Sequence, residues 1–276
     1  MSDGATIALN DGCTMPLVGF GVYLVPPDQT LAAVTAALQA GYRSIDTAAL
    51  YRNEAAVGNA ISDCDVPRED LFVTTKVWNS DHGFESTLAA FDKSVRRLGL
   101  DNLDLYLIHW PTPGRDLYVD TWRALERLQA DGRVRSIGVS NFGVDHLQRL
   151  LDECQVVPAV NQVELHPQMI QATLRRFHDQ HGIVTEAWSP LARGAVLTPT
   201  PVVSLAEKYA KTPAQLILRW HVQLGNVVIP KSVSPARIRE NLAIFDFEIA
   251  DDDMAEISAM DTGTRIGPDP VTFNGA

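Results

Sequence analysis

The stretch Asp104-Leu105-Tyr106-Leu107-Ile108-His109-Trp110-Pro111 is nearly all apolar between its acidic first residue and the histidine near its end. Such a run, without alternation of apolar and polar residues, is typical of a strand buried on both faces of a parallel sheet. Comparable short runs recur along the whole chain. Together they predict eight strands: Leu17–Gly21, Ser44–Asp46, Leu71–Val77, Leu103–His109, Arg135–Val139, Ala159–Glu164, Ile183–Trp188 and Asn226–Ile229.

The segments between these strands carry the signals of helices. Thr212-Pro213-Ala214-Gln215 combines an N-cap threonine, a proline at the first helical position and a capping-box glutamine. Ser234-Pro235 is expected to open the next helix in the same way. Repeated alternation of strand and helix predicts a (β/α)8 barrel, an α/β fold, and a doubly wound sheet is the alternative.

The chain is expected to form one domain. A barrel of this type takes about 250 residues, and no Pro-, Gly- or Ser-rich linker divides the 276 residues of the chain. We therefore expect a single barrel domain over residues 1–276. It should begin with a β-hairpin in which Thr6–Leu9 and Thr14–Pro16 are joined by Asn10-Asp11-Gly12.

Composition argues against several classes of partner. The 23 Lys and Arg against 34 Asp and Glu give a net charge of −11, and no nucleic-acid partner is expected because phosphate backbones require a basic face. Cys13, Cys64 and Cys154 are too scattered for a disulfide framework, which favours a reducing cytoplasm. The N-terminus has no basic region and no apolar run approaches ~18 residues, so neither a signal peptide nor a membrane partner is expected.

Four polar residues fall at or just after the ends of consecutive strands. Asp46 ends the second strand, Tyr51 follows in the next loop, Lys76 lies near the end of the third strand and His109 ends the fourth. Each has an ordinary structural explanation when taken alone, such as a helix cap or a satisfied core histidine. In a barrel, however, the carboxyl ends of the strands share one mouth, where the chemistry takes place. Together the four predict a functional site.

The residue types suit transfer of a proton to an oxygen. The Lys76 ammonium is expected to lower the pKa of Tyr51, an effect that desolvation opposes. Asp46 is expected to hold Lys76 charged and in place. His109 can donate a hydrogen bond to a carbonyl oxygen. The set lacks a nucleophile that attacks carbon, which a hydride from a nicotinamide would supply. The alternatives are a Schiff-base aldolase that uses Lys76 and a non-catalytic protein that binds the cofactor as a redox sensor or interaction module.

A dinucleotide would have to be held without a glycine-rich cradle. Neither G-x-G-x-x-G nor G-x-x-x-x-G-K-[ST] occurs. Lys231, Ser232 and Arg237 supply cations and donors next to the helix expected near Ser234. Arg237 can hold a 2′-phosphate through two parallel hydrogen bonds, which favours NADPH over NADH. From these residues alone, a solvated Lys/Arg pair at the start of a helix is as good an interpretation as a phosphate site.

Further aromatic and histidine residues complete the sequence-based expectations. Trp78, Trp110 and Phe273 are candidates for the wall of a substrate pocket, whereas Trp122 and Trp220 are expected in the core. The histidines outside the strand ends show no metal-ligand spacing, so no metal is expected. His178 and His181, three residues apart at a polar helix end, are expected to be solvated.

Several segments are distinctive as a set. They are Gly41–Ala48 with Tyr51 and Asn53-Glu54, Leu107–Pro111, Gly138–Phe142, Asn161–Glu164, Ser189–Leu191, Ile229–Ser232 with Arg237 and Glu240-Asn241, and the short end Pro270–Asn274. Together they resemble the aldo-keto reductase family over nearly the whole chain, and most closely its bacterial subgroup related to 2,5-diketo-gluconate reductases.

The resemblance implies an NADPH-dependent reductase of aldehydes and ketones, with small dicarbonyl or sugar-derived substrates. It implies that Tyr51 is the general acid, supported by Asp46, Lys76 and His109, and that the protein is a monomer. The implied cofactor-binding residues are Ser140, Asn141, Gln162, Trp188, Ser189, Leu191, Ile229, Lys231, Ser232, Val233, Arg237, Glu240 and Asn241.

Overall fold

The computed structural model describes residues 5–275, so residues 1–4 and 276 of the expected domain range lie outside it. A parallel sheet runs through the described residues, with each strand paired to the next along the chain. Its strands are β3 (Phe20–Gly21), β4 (Ser44–Asp46), β5 (Phe72–Val77), β6 (Leu103–Ile108), β7 (Val134–Ser140), β8 (Val160–Glu164), β9 (Val184–Trp188) and β10 (Val227–Val228).

The sheet closes on itself. Gly19 N donates to Val228 O at 2.8 Å, and Val228 N donates to Leu17 O at 3.0 Å, so the chain before β3 pairs with the last strand. A doubly wound sheet would instead be open, with two unpaired edges. The closure confirms the predicted (β/α)8 barrel.

Helices follow the strands and cover the outside of the barrel. They are α1 (Pro27–Ala40), α2 (Glu54–Ser62), α3 (Phe84–Leu98), α4 (Tyr118–Ala130), α5 (Val144–Glu153), α6 (Ala172–His181), α7 (Thr200–Lys208), α8 (Pro213–Gln223), α9 (Pro235–Leu242) and α10 (Asp251–Ser258). The core between strands and helices includes Trp122 and Trp220, both fully buried as expected.

One helix start forms as predicted and the other differs. The Thr212 hydroxyl accepts from Gln215 N at 3.3 Å and the Gln215 side chain accepts from Thr212 N at 3.1 Å, which confirms the capping box of α8. Ser234 stands at the N-cap of α9 and Pro235 begins the helix, but the Ser234 side chain makes no capping bond. Instead the Ser232 hydroxyl accepts from Ser234 N at 3.1 Å, because the turn before the helix brings these two residues together.

The N-terminal hairpin fills the end of the barrel opposite the strand carboxyl ends. Strands β1 (Thr6–Ala8) and β2 (Thr14–Pro16) pair antiparallel, as predicted. Leu9 and Met15 are buried in a small apolar cluster inside the barrel. The partners of this cluster come mainly from the first half of the strands: Phe72, Leu105, Leu107, Ala159, Val160, Val184 and Val227. The hairpin therefore does not occupy the mouth at the carboxyl ends of the strands, where the polar residues lie.

Candidate active site

Lys76 and Asp46 form a buried ion pair at the mouth of the barrel. Lys76 Nζ donates to Asp46 Oδ1 at 2.7 Å, to Asp46 Oδ2 at 2.8 Å and to Thr47 O at 2.9 Å. An ammonium group has three hydrogens, so these bonds use them all. Both side chains are almost completely buried. They come from the neighbouring strands β4 and β5. The Asp46 carboxylate therefore compensates the charge of the buried Lys76 ammonium.

Tyr51 and His109 lie beside this pair. Tyr51 ends a short 3-10 turn, Ala49–Tyr51, in the loop after β4. Lys76 Nζ is 5.1 Å from the centroid of the Tyr51 ring. The rings of Tyr51 and His109 meet edge to face with centroids 5.7 Å apart. The structure therefore brings all four strand-end residues together.

The ionisation of Tyr51 differs from the sequence-based expectation. Burial and the negative charge of Asp46 raise the pKa of Tyr51 well above its usual value of 10. The expected lowering by Lys76 is wrong for this structure, because Asp46 compensates the ammonium and desolvation disfavours a phenolate. Burial and the Lys76 charge lower the pKa of His109 well below 6.5. At neutral pH the site thus holds a protonated phenol and a neutral imidazole.

A cavity of about 780 Å³ opens beside Tyr51 and His109. It is lined by all the residues expected to bind the cofactor except Val233, which is 49% exposed and is not part of the cavity wall. The lining members of that set are Ser140, Asn141, Gln162, Trp188, Ser189, Leu191, Ile229, Lys231, Ser232, Arg237, Glu240 and Asn241.

Four of these residues are joined by hydrogen bonds next to His109. The Asn141 amide donates to His109 O at 2.9 Å and to the Ser140 hydroxyl at 3.0 Å. Its oxygen accepts from Trp188 Nε1 at 2.8 Å, which fixes the indole against the cavity. The Ser140 hydroxyl donates to Gln162 O at 2.8 Å. Asn141 adopts a left-handed conformation with φ 64°, so strand β7 ends abruptly at this point.

The donor set of the cavity fits a phosphorylated nicotinamide dinucleotide. The amides of Asn141 and Gln162 lie at the mouth beside Tyr51, where a carboxamide would need them. The segment after β10 contributes the cations Lys231 and Arg237 to the same cavity, both exposed and able to contact phosphate groups. Amides suited to a carboxamide and cations suited to phosphate therefore line the same cavity.

The opposite side of the cavity is aromatic. Trp78, Trp110 and Phe273 line it, and the rings of Trp110 and Phe273 are 4.5 Å apart. Sequence reasoning missed two further members of this wall, Tyr23 and Leu50, which are 44% and 38% exposed at the rim. They belong to loops after β3 and β4, whose course the sequence pattern does not fix.

Glu186 is the functional candidate that sequence reasoning missed. It lies on β9, is fully buried, and its Oε2 accepts from Gln162 Nε2 at 2.8 Å. Burial and the charge of Asp46 raise its pKa to about 8. The signal was available, because an acidic residue at an inward position of an apolar strand is costly unless it is partnered.

The expectation that His178 is solvated is wrong. Its side chain is fully buried between α6 and the sheet, with Nε2 2.9 Å from Asn161 Nδ2 and Nδ1 2.8 Å from Thr185 Oγ1. Both ring nitrogens are thus satisfied inside the protein, and burial lowers the pKa of His178 to about 3. His181 is partly exposed and stacks on Phe177. Among residues 5–275, no group of three His, Cys, Asp or Glu side chains is arranged to hold a metal ion.

Residues 19–262 match the sequence model of the aldo/keto reductase family. The chain belongs to the aldo/keto reductase family. This confirms the resemblance drawn from the sequence and the oxidoreductase class that it implied. In the described part of the chain, no helix combines the length and apolarity that crossing a membrane requires.

The relatives of this aldo/keto reductase are similar over nearly their full length. An aldo-keto reductase of Mycolicibacterium smegmatis is 57% identical, with 97% of this chain and 98% of the relative covered. The glyoxal reductase of Bacillus subtilis is 53% identical, with 96% of each covered. Methylglyoxal reductase DkgA of Escherichia coli K12 is 48% identical, with 100% of each covered.

Two solved structures share the fold over nearly the whole chain. A mutant of Gox0644 in complex with NADPH superimposes with a TM-score of 0.95 at 49% identity, with 99% of each chain covered. An aldo/keto reductase from Brucella melitensis gives a TM-score of 0.91 at 54% identity, with 94% of this chain and 100% of the other covered.

Proposed function

We propose that this chain reduces aldehydes and ketones to alcohols with NADPH, and that Tyr51 is the general acid. The observation that carries the proposal is the meeting of Tyr51, His109 and the Asp46–Lys76 pair at a cavity that also holds Lys231 and Arg237. A proton donor for oxygen and a set of phosphate-binding cations in one cavity are what such a reaction needs.

The protein's own residues handle the developing negative charge. The bound cofactor supplies a hydride to the carbonyl carbon. Tyr51 is protonated at neutral pH because its pKa is raised, so its hydroxyl can give a proton to the carbonyl oxygen. Neutral His109 can donate a hydrogen bond to the same oxygen, which orients the substrate. After proton transfer, the Lys76 ammonium, 5.1 Å from the ring centroid, would offset part of the cost of the Tyr51 phenolate, which burial and Asp46 disfavour.

Amides at one end of the cavity and cations at the other would hold the cofactor. Gln162 and Asn141 are suited to the carboxamide, and Trp188 offers a flat face to the nicotinamide ring. Lys231 and Arg237 are suited to phosphate, and a bidentate contact of Arg237 with a 2′-phosphate would favour NADPH over NADH. NADPH in the Gox0644 mutant complex, which has a similar fold, supports the choice of cofactor.

The substrates we propose are small, neutral dicarbonyl or sugar-derived compounds. The wall formed by Trp78, Trp110 and Phe273 is aromatic, whereas the lining cations Arg193, Lys231 and Arg237 come from segments after β9 and β10 on the cofactor side. A substrate carboxylate at the aromatic wall would lose its hydration without gaining a cation as a partner, which costs binding free energy. The names of two relatives, glyoxal reductase and methylglyoxal reductase, support small dicarbonyls.

Replacing the proposed acid tests the reaction. With methylglyoxal as substrate, Tyr51→Phe is expected to lower the rate of NADPH oxidation at least about 100-fold, because it removes the transferred proton. Its affinity for NADPH, measured by calorimetry, should stay within a few-fold. The matched control is Tyr23→Phe, which removes a neighbouring hydroxyl whose ring lies 5.1 Å from that of Tyr51 and should keep most of the rate. Full activity of Tyr51→Phe would contradict the proposal.

Charge on the substrate tests the proposed specificity. We expect kcat/KM for methylglyoxal to exceed that for pyruvate, a carbonyl compound with a carboxylate, by at least about tenfold, since an unpaired buried charge costs more than 1.4 kcal/mol. A preference for the carboxylate would contradict the assignment of a neutral substrate.

The alternatives have less support. Lys76 is fully buried and bonded to Asp46, whereas a Schiff base needs an accessible neutral amine. A non-catalytic sensor would not require the complete proton-donating set.

We also propose that the chain works as a single-domain monomer in the cytoplasm, without a nucleic-acid or membrane partner. The cavity draws residues from Gly21 to Phe273, which supports one functional unit. The net charge of −11 disfavours contact with nucleic acid.

A further inference from the structure

Glu186 is a buried acid with one partnered and one unpartnered oxygen. Its side chain is fully buried on β9, two residues before Trp188. Oε2 accepts from Gln162 Nε2 at 2.8 Å, in line with the pairing of Gln162 and Glu186 across strands β8 and β9. Oε1 has no hydrogen-bond partner among the described residues. Glu186 does not line the cavity, so any effect on a ligand must pass through a neighbour.

Gln162 is that neighbour, and its amide is held from two sides. Nε2 donates to Asp46 Oδ2 at 2.8 Å and to Glu186 Oε2 at 2.8 Å. A side-chain amide has two hydrogens and one oxygen, so both hydrogens are directed at carboxyl groups and Oε1 is the atom left for a ligand. Rotating the amide by half a turn would set Oε1 against the carboxyl oxygens. The two acids therefore fix one orientation of Gln162.

The charges around Glu186 explain why it can stay there. Lys76 on β5 is a cation whose charge acts on Glu186, and Asp46 on β4 compensates it. Burial and Asp46 raise the pKa of Glu186 to about 8, opposed by Gln162 and Lys76. At neutral pH Glu186 is therefore mostly protonated, and its carbonyl oxygen still accepts from Gln162. An apolar residue of similar size would avoid an unpartnered buried oxygen, which indicates that the polar group serves the site.

We propose that Glu186 is a positioning residue for the nicotinamide: it locks the Gln162 amide so that Oε1 accepts a hydrogen bond from the carboxamide NH2 of the cofactor. The inference rests on the proposed function, because it requires that the nicotinamide occupies the mouth of the barrel. Glu186 itself touches neither cofactor nor substrate.

Equilibrium binding of two oxidised cofactors tests this role without turnover. NADP+ carries a carboxamide, whereas its 3-acetylpyridine analogue has a methyl group in place of the NH2 and cannot donate to Gln162. In the unmodified protein we expect calorimetry to give a Kd about tenfold lower for NADP+ than for the analogue, the worth of one well-placed hydrogen bond. Glu186→Leu should reduce this ratio to about one, because Gln162 is no longer locked.

Two further variants separate positioning from packing. Glu186→Gln keeps a carbonyl oxygen that accepts from Gln162 and should retain the tenfold ratio. Thr185→Val removes a buried hydroxyl on the opposite face of β9, where it contacts His178, and should leave the ratio unchanged. If Glu186→Leu does not fold, Glu186→Met provides the same loss of the acceptor with a flexible apolar chain.

The outcomes distinguish this inference from the proposed function. An equal loss of affinity for both cofactors in Glu186→Leu, with the ratio intact, would mean that Glu186 only supports packing and would overturn the proposal. So would a ratio near one in the unmodified protein. Failure of the unmodified protein to oxidise NADPH with any carbonyl compound would instead overturn the proposed function, and it leaves the binding ratio measurable.

Discussion

Tyr51 and His109 have ionisation properties that predict a flat pH profile. The pKa of Tyr51 is raised well above 10 and that of His109 is lowered well below 6.5, in both cases mainly by burial. Between about pH 6 and 7.5 both groups keep the protonation state that reduction requires. We expect kcat with saturating NADPH and methylglyoxal to change less than about twofold across this range. A steep fall as pH rises, lost in Tyr51→Phe, would mean that Tyr51 titrates near neutrality.

Glu186 makes stability depend on pH in a specific direction. Its pKa rises from 4.5 to about 8 on folding, so the folded state keeps a proton that the unfolded chain releases. The associated stabilisation is complete below about pH 4.5 and is lost as pH rises towards 8. Relative to Glu186→Gln, the free energy of unfolding should fall with pH by up to about 1.4 kcal/mol per unit in this range. Urea unfolding at pH 5, 6, 7 and 8 measures the difference, and parallel curves would contradict it.

The C-terminal segment, residues 261–275, is an element held at both ends. Glu164 Oε2 accepts from Gly267 N at 3.0 Å, and Asn274 Oδ1 accepts from Gly114 N at 2.6 Å. Between these anchors the segment carries Phe273 to the aromatic wall. A Cβ on Gly267 would come within 2.5 Å of the Trp188 ring, so the segment also packs closely on the proposed nicotinamide side.

Releasing the first anchor should free this segment. Glu164→Leu removes the acceptor for both Ile266 N and Gly267 N. We expect faster tryptic cleavage after Arg265 and a KM for methylglyoxal raised several-fold, because Phe273 would no longer be held against Trp110. Asp269→Asn, which alters a local bond within the segment, is the matched control. Cleavage and KM as in the unmodified protein would show that the other contacts suffice.

At the scale of the whole molecule, the two ends of the barrel have separate tasks. The hairpin residues Leu9 and Met15 fill the end opposite the mouth, and Met15 is fully buried. Met15→Ala should lower the free energy of unfolding by about 3 kcal/mol through lost burial and a new cavity. Its affinity for NADPH and its kcat should be unchanged because the site is at the other end. Thr14→Ala, at an exposed position of the same strand, is the control, and a large loss of activity in Met15→Ala would contradict this separation.

Much of the architecture follows from local pattern. The apolar runs predicted the eight barrel strands to within a few residues, and the capping signal of Thr212 and Gln215 predicted the start of α8. Predicted strand ends also sufficed to expect Asp46, Lys76 and His109 at one mouth. These features depend on residues close together in the chain, which the sequence displays directly.

The sequence by itself therefore determined the alternation of strands and helices and the position of the four residues at or just after the ends of consecutive strands. The tertiary structure decided that the sheet closes into a barrel. Only the tertiary structure decided that Asp46 compensates Lys76, that Tyr51 stays protonated, that His178 is buried, and that Glu186 reaches Gln162. The physical reason is that desolvation and charge pairing depend on distances through space. Gln162 and Asp46, for example, are 116 residues apart in the chain and 2.8 Å apart in the barrel.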